Sequence, residues 1–214
     1  MKRRQFALAA AALPGLLTLP AYAQSDKPSG KGYVELKQAA PVDAPSGKIE
    51  VIEFFSYVCP HCMHFEPIFD NWRKNAPKDV MAHQVHVGFQ KSFEPLQRLF
   101  YALEALDQAD AMQIKVFEAI QTQRKRLDKP EVLFPWIAEQ GLDRVKFEAT
   151  YKSFGVDSKL RRAVQLQDAY NVQATPSMGI AGRFYTDPDP EIAGGFEPML
   201  KVVDDLVARV RKGG

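Results

Sequence analysis

The only two cysteines of the 214-residue chain stand three positions apart, in Cys59-Pro60-His61-Cys62. The run before them, residues 49–57, is apolar, β-branched and aromatic, broken only by Glu50 and Glu53. Such a run reads as a buried strand. A helix should follow over residues 59–75, kinked where Pro67 removes a backbone donor. A strand that ends at a Cys-x-x-Cys pair opening a helix is the context of a dithiol redox site. It ties the chain to an α/β arrangement in which the strand delivers both sulfurs to a helix N-terminus.

The chemistry follows from that placement. Residues three apart on a helix share a face, with Cα atoms within disulfide range. Cys59 would stand beside unpaired backbone N–H groups at the positive end of the helix dipole, which favours thiolate over thiol. Pro60 suits the first helical position, where a missing N–H costs nothing. The His61 imidazole can hydrogen-bond a thiolate or, when protonated, pair with it. A stabilised thiolate stabilises the reduced form and makes the disulfide a stronger oxidant. Cys62, one turn further in, should be more buried and act as the resolving thiol. Two cysteines exclude a disulfide scaffold and a four-cysteine zinc site. Two other readings of the pair stay open: a purely structural disulfide, and a zinc site using Cys59, Cys62, His64 and His61.

The N-terminus points to export. Residues 1–23 have a basic start, an apolar run over 6–19 and an Ala21-Tyr22-Ala23 cleavage site, which is the pattern of a secretory signal peptide. The run is too short, and too interrupted by Pro14 and Pro20, to span a membrane. Arg3-Arg4-Gln5-Phe6 also resembles a twin-arginine signal, so two export routes fit. The formal net charge is +2. Removing Lys2, Arg3 and Arg4 with the signal leaves 25 basic and 26 acidic side chains, net −1. A near-neutral mature chain gives no general argument for nucleic acid or an anionic membrane as partner.

Beyond the signal, residues 24–32 read as a polar arm and 33–36 as a short edge strand, with a turn region over 39–47. Residues 80–87 form a further strand candidate. Between 93 and 170 only helical periodicity is found. Leu96, Leu99, Phe100, Leu103 and Leu106 mark one helix, and residues 112–123 a second. Pro130 can open a third and Gly141 close it. Asp143 and Asp157 are read as N-caps of two more, with Gly155 as a cap between them. Residues 177–180 and 183–186 then flank Ala181-Gly182 as a hairpin. The last helix is lined by Phe196, Met199, Leu200, Val203, Leu206, Val207 and Val210. A helical block within an α/β frame suggests an inserted subdomain.

The remaining chemistry-bearing side chains divide into those beside the cysteines and those elsewhere. Glu53 is either on a solvated strand face or a buried carboxylate whose pKa rises. His83 and His86 lie an odd number apart on one strand, face opposite sides and read as structural. Met63, Phe65 and Met178 line either a peptide groove or the core. Trp72 and Trp136 read as packing residues. Arg124-Lys125-Arg126 reads as a solvated helix end.

The run Glu53-Phe54-Phe55-Ser56-Tyr57-Val58-Cys59-Pro60-His61-Cys62 resembles the DsbA family of bacterial periplasmic thiol:disulfide interchange proteins. The resemblance spans essentially the whole mature chain and includes Gln173-Ala174-Thr175-Pro176-Ser177 before the late hairpin. Thioredoxins usually carry Gly-Pro between their cysteines, and eukaryotic disulfide isomerases Gly-His. The resemblance implies a thioredoxin fold, built from residues 24–92 and 171–214, with an inserted all-helical subdomain over 93–170.

It implies Cys59 as the nucleophile, Cys62 as the resolving thiol, and Glu53 as proton acceptor for Cys62. Pro176 matches the family's cis-proline, facing the cysteines. Thr175 stands where some relatives carry Val, and its hydroxyl can reach a thiolate. The implied function is that of a monomeric periplasmic dithiol oxidase acting on unfolded secreted proteins with free cysteines. A quinone-linked membrane oxidase of the DsbB type would reoxidise it. The Cys59–Cys62 disulfide would be the only redox group, with no metal or organic cofactor. The alternatives are a periplasmic reductase or isomerase of the same fold, and a peptide-binding chaperone. Isomerases of this group normally carry an N-terminal dimerisation domain, for which 35 residues before Cys59 are too few.

Overall fold

The computed structural model describes residues 32–213. The signal-peptide reading, and all of the arm but Gly32, lie outside the described residues. Five strands form one mixed sheet: β1 (Val34–Glu35), β2 (Ile49–Phe55), β3 (Val80–His86), β4 (Ser177–Ile180) and β5 (Phe184–Thr186). Their spatial order is β1-β5-β4-β2-β3. Only β2 and β3 run parallel, joined by helix α1 (Pro60–Asn75). The other neighbours are antiparallel. Every residue of β2 is buried, as a central strand covered on both faces requires.

α1 starts at Pro60, and Cys59 is its N-cap in extended conformation, φ −86° and ψ 116°. Pro67 lies inside the helix without ending it. Five further helices occupy the chain between β3 and β4: α2 (Glu94–Ala105), α3 (Ala109–Phe117), α4 (Pro130–Glu139), α5 (Arg144–Tyr151) and α6 (Phe154–Ala169). α7 (Phe196–Arg211) follows the β4–β5 hairpin. In that hairpin residues 181–183 join the strands, and Ala181 (φ 53°) and Gly182 (φ 68°) both take positive φ inside a turn closed by the Arg183 N–H on Ile180 O at 2.9 Å, as the twist of the strands favours.

Three local expectations are corrected. The second helix of the block is α only over Ala109–Phe117 and then widens into a π turn over Glu118–Thr122. Asp157 is not an N-cap. Ser153 caps α6, its Oγ accepting from the Val156 N–H at 3.3 Å, while Asp157 sits in the first turn paired with Arg98 of α2 at 2.7 Å. Gly155 is consequently helical rather than a cap between helices. Asp143 does cap α5, accepting from the Lys146 N–H at 3.0 Å.

The core divides across the sheet. One cluster joins Ile52, Phe54, Phe55 and Tyr57 to the helical block through Phe100, Phe117 and Tyr170. The other joins Ile49 and Val51 to Phe65 and Phe69 of α1 and to Met199, Val203 and Leu206 of α7. Phe65 and Met178 are fully buried in this second cluster, so they belong to the core and not to a groove. Trp136 is buried, and Trp72 is partly buried with its Nε1–H donating to Asp204 at 2.9 Å.

Candidate redox site

The two sulfurs lie where the sheet hands over to α1, and both cysteines are free. Cys59 is half-buried and Cys62 is completely buried. The β2–α1 turn is held from three sides. The Cys59 N–H donates to Ser56 O at 3.0 Å. The Tyr57 N–H donates to His86 Nε2 at 3.2 Å. Gln121 Nε2, from the π turn, donates to Tyr57 O at 2.9 Å and to Cys59 O at 3.0 Å. The other His86 nitrogen lies 2.9 Å from Val87 O, which makes Nδ1 the protonated one and leaves Nε2 to accept. Burial pushes the His86 pKa down to about 3, so the ring is neutral and serves as a structural acceptor.

The Cys59 thiol lies 3.2 Å from the carbonyl of Thr175, and the Thr175–Pro176 peptide bond is cis. The hydrogen bond offered by the Cys62 thiol is the main influence that lowers the Cys59 pKa, to about 5. Burial opposes it, and the Thr175 hydroxyl and the backbone N–H groups of Cys62 and His61 assist. Burial drives the Cys62 pKa strongly upward, and the bond it gives to Cys59 and the nearby charges of Glu53 and Cys59 add to this. One helical turn therefore separates a thiolate from a thiol. His61 contributes its backbone N–H to the sulfur, while its ring is exposed and lines a cavity of about 480 Å³ with Thr175, Pro176 and Phe196.

Glu53 is fully buried on β2, which excludes the solvated-face alternative. Gln84 of β3 lies directly across the parallel ladder from it. Gln84 Nε2 donates to Glu53 Oε2 at 2.8 Å and to Glu66 Oε2 of α1 at 2.7 Å. Gln113 of α3 also donates to Glu66, at 3.3 Å, and accepts from the Tyr57 hydroxyl at 2.7 Å. Burial raises the pKa of both carboxyls; the Glu66 charge is the next largest cause for Glu53. Glu53 Oε1 has no hydrogen-bond partner among the described residues, and so is open to a proton.

The structure thus gathers Cys59, Pro60, His61, Cys62, Thr175, Pro176 and Glu53 around one turn. The sequence reading missed Glu66, Gln84, Gln113 and Gln121. Glu66 had a signal, since it follows Cys62 by four residues and so shares its helix face. The three glutamines had none, because their placement depends on strand register for Gln84, on the packing of α3 against α1 for Gln113 and on the π turn for Gln121. His64 is exposed, and His83 pairs instead with buried Glu50 at 3.2 Å.

Comparison with known proteins assigns a family to the chain. Residues 80–194 match the family model of the DSBA-like thioredoxin domain. The thiol:disulfide interchange protein DsbA of Bordetella pertussis is 44% identical over 207 residues, 96% of each chain. That of Pseudomonas aeruginosa PAO1 is 37% identical over 186 residues, 87% of each. The crystal structure of Pseudomonas aeruginosa DsbA superposes with a TM-score of 0.80 at 37% identity, covering 86% of this chain and 94% of that one. The oxidoreductase NmDsbA1 from N. meningitidis gives 0.75 at 30%, covering 86% and 94%.

Proposed function

The chain belongs to the DsbA family of thioredoxin-fold thiol:disulfide oxidoreductases, and from that premise we propose that it works in the periplasm as a dithiol oxidase. In this reading residues 1–23 are the cleaved signal and residues 93–170 the insertion into the thioredoxin-like domain. The observation that carries the direction of the reaction is the placement of the two sulfurs, Cys59 half-buried at the N-cap of α1 and Cys62 fully buried one turn in, which lowers the Cys59 pKa to about 5 and raises that of Cys62. A leaving group with a low pKa departs readily, and a stable thiolate weights the equilibrium toward the reduced enzyme.

In the oxidised enzyme a substrate thiolate attacks the Cys59 sulfur. The Cys59–Cys62 bond breaks, the mixed disulfide forms through Cys59, and Cys62 leaves with the electron pair. Cys62 takes up a proton, for which Glu53 is the adjacent donor. A second substrate thiolate then attacks the substrate sulfur of the mixed disulfide and expels Cys59 as a thiolate. The substrate has lost two electrons to the enzyme, and its cysteines are joined. Thr175 and the N–H groups of His61 and Cys62 hold the expelled charge. Pro60 opens the helix without needing a donor, and Pro176 walls the site on the far side of the sulfur. Oxidation by a quinone-linked membrane partner of the DsbB type returns the enzyme, as a monomer, to its starting state.

The reduction potential tests this reading. Equilibrating the mature protein in glutathione buffers and following tryptophan fluorescence should give a value well above the roughly −270 mV of thioredoxin. A value at or below that level would overturn the oxidase in favour of a reductase. Cys59→Ser should abolish oxidation of a reduced substrate protein; retained activity would point instead to a chaperone.

A further inference from the structure

A second hollow, sharing no lining residue with the His61–Pro176 cavity, is lined by Val58, the residue before Cys59. Its volume is about 480 Å³, and Val58, Phe93, Ile120 and Leu127 give it apolar walls. Val58 is 45% exposed, so an apolar side chain next to the nucleophile faces outward into this hollow. Gln121, next to Ile120, holds the carbonyls of Tyr57 and Cys59 and so fixes the hollow to the backbone that carries the reactive sulfur.

Its rim carries three basic side chains and one acidic: Arg124, Lys125, Arg126 and Asp128 all line it. Arg126 is neutralised by Asp128, with contacts of 2.7 and 2.6 Å. Lys125 lies 3.8 Å from Glu139. Arg124 makes no ion pair among the described residues. Its backbone is unusual as well. At φ 58° it sits in the left-handed region just past the π turn, where the Lys125 N–H closes back on Ala119 O at 2.8 Å. Glycine or asparagine commonly fills such a helix-ending position, because a Cβ is strained there. An arginine at that position puts a cation at the rim in spite of the strain. A π turn is itself a frequent marker of functional sites.

We propose that this hollow binds the stretch of substrate chain flanking the reacting cysteine. It favours segments that bring a carboxylate to Arg124 and an apolar side chain over Val58 and Ile120. The occupant is thus an acidic, apolar segment of the protein being oxidised. The proposal rests on Cys59 as the nucleophile and deepens that reading by naming a sequence preference.

The test uses two unfolded peptides, each with one cysteine and a neighbouring Phe, that differ only in Glu or Lys two residues from the cysteine, with the substitution made on either side. The rate constant for reducing the enzyme's disulfide is measured for each at low salt and at 1 M salt. Comparing the Glu/Lys rate ratio between enzyme variants cancels the effect of the flanking charge on the peptide's own thiol. An exposed ion pair supports about a two- to fivefold preference for Glu on one side of the cysteine, which salt should erase.

Arg124→Lys should keep the preference, and Arg124→Glu should invert it. Arg124→Gly should lose it while leaving the melting temperature equal or higher, since the strain goes with the side chain. Ratios that are the same in wild type and Arg124→Glu, with both peptides still forming the mixed disulfide at Cys59, would overturn the proposal and leave the oxidase intact. Failure of either peptide to form a mixed disulfide with the wild type would overturn the nucleophile reading and this proposal with it.

Discussion

Four groups lower the Cys59 pKa: the Cys62 thiol, the Thr175 hydroxyl and the N–H groups of Cys62 and His61. Removing them singly separates their contributions. Thr175→Val keeps the shape and removes one hydrogen bond to a charge, so the Cys59 pKa should rise by about one unit. Thiolate absorbance near 240 nm across a pH titration reads it. His61→Pro removes both the imidazole and the backbone N–H, whereas His61→Ala removes the ring alone. The proline variant should therefore show the higher Cys59 pKa and the lower reduction potential of the two. Glu53→Gln removes the proton-binding oxygen beside Cys62 while keeping an amide for Gln84. It should slow peptide oxidation by up to about 10²-fold near neutral pH, with the Cys59 titration little changed, as stopped-flow fluorescence would show.

At this scale the cysteine pair was legible from its motif, while Thr175 and Glu53 came into view only through the resemblance to the DsbA family. Glu66 was half-legible. Gln84 was not, because its meeting with Glu53 depends on a parallel register that no local pattern states.

Among the elements, β4 is the one with least room. A Cβ built on Gly179 would lie 2.6 Å from the ring of Tyr170, whose hydroxyl accepts the Gly182 N–H at 2.8 Å. Tyr170 thereby links the end of α6 to the hairpin that follows Pro176. Gly179→Ala should destabilise the protein by about 1–3 kcal/mol, the usual range for overpacking, measurable by urea denaturation. The hairpin turn, the α4 ends and the α7 face were readable from the sequence, since Gly182, Pro130, Gly141 and the apolar stripe are local signals. The α6 start was not. Ser153 and Asp157 are both good caps, and the choice fell to Arg98, an α2 residue that claims Asp157 across the block. The π turn was hidden for the same reason, since its residues keep helical composition while its register shifts to hold the β2–α1 turn.

For the whole molecule the redox state and the fold are linked through protons. The Cys59 pKa is depressed from its unfolded value of about 8.5 to about 5. Between those values the unfolded reduced chain binds more protons than the folded one, so stability of the reduced form rises with pH. That contribution is complete above the unfolded value and is lost as pH falls through about 5. Cys62 acts oppositely at high pH: its raised pKa keeps it protonated when the unfolded thiol would ionise, which lowers stability above about 8.5. Urea unfolding of the reduced and oxidised forms should show the reduced form gaining most relative to the oxidised near pH 8 and losing that gain toward pH 5. The reduction potential should fall by about 30 mV per pH unit while Cys59 is a thiolate, steepening to about 59 mV once it protonates. A single slope through that range would contradict the assigned ionisation.

Cys59 lies half-buried, close to hollows lined by Thr175 and His61 and by Val58 and Ile120 of the π turn. A half-buried sulfur is reached more readily by a slack stretch of chain than by a cysteine fixed on a rigid, rounded surface. Access is therefore a question of timing. An unfolded chain offers its cysteines while it is slack, and each one is withdrawn as the surrounding structure sets. The donor needs no separate means of recognising finished proteins, because folding itself ends the encounter.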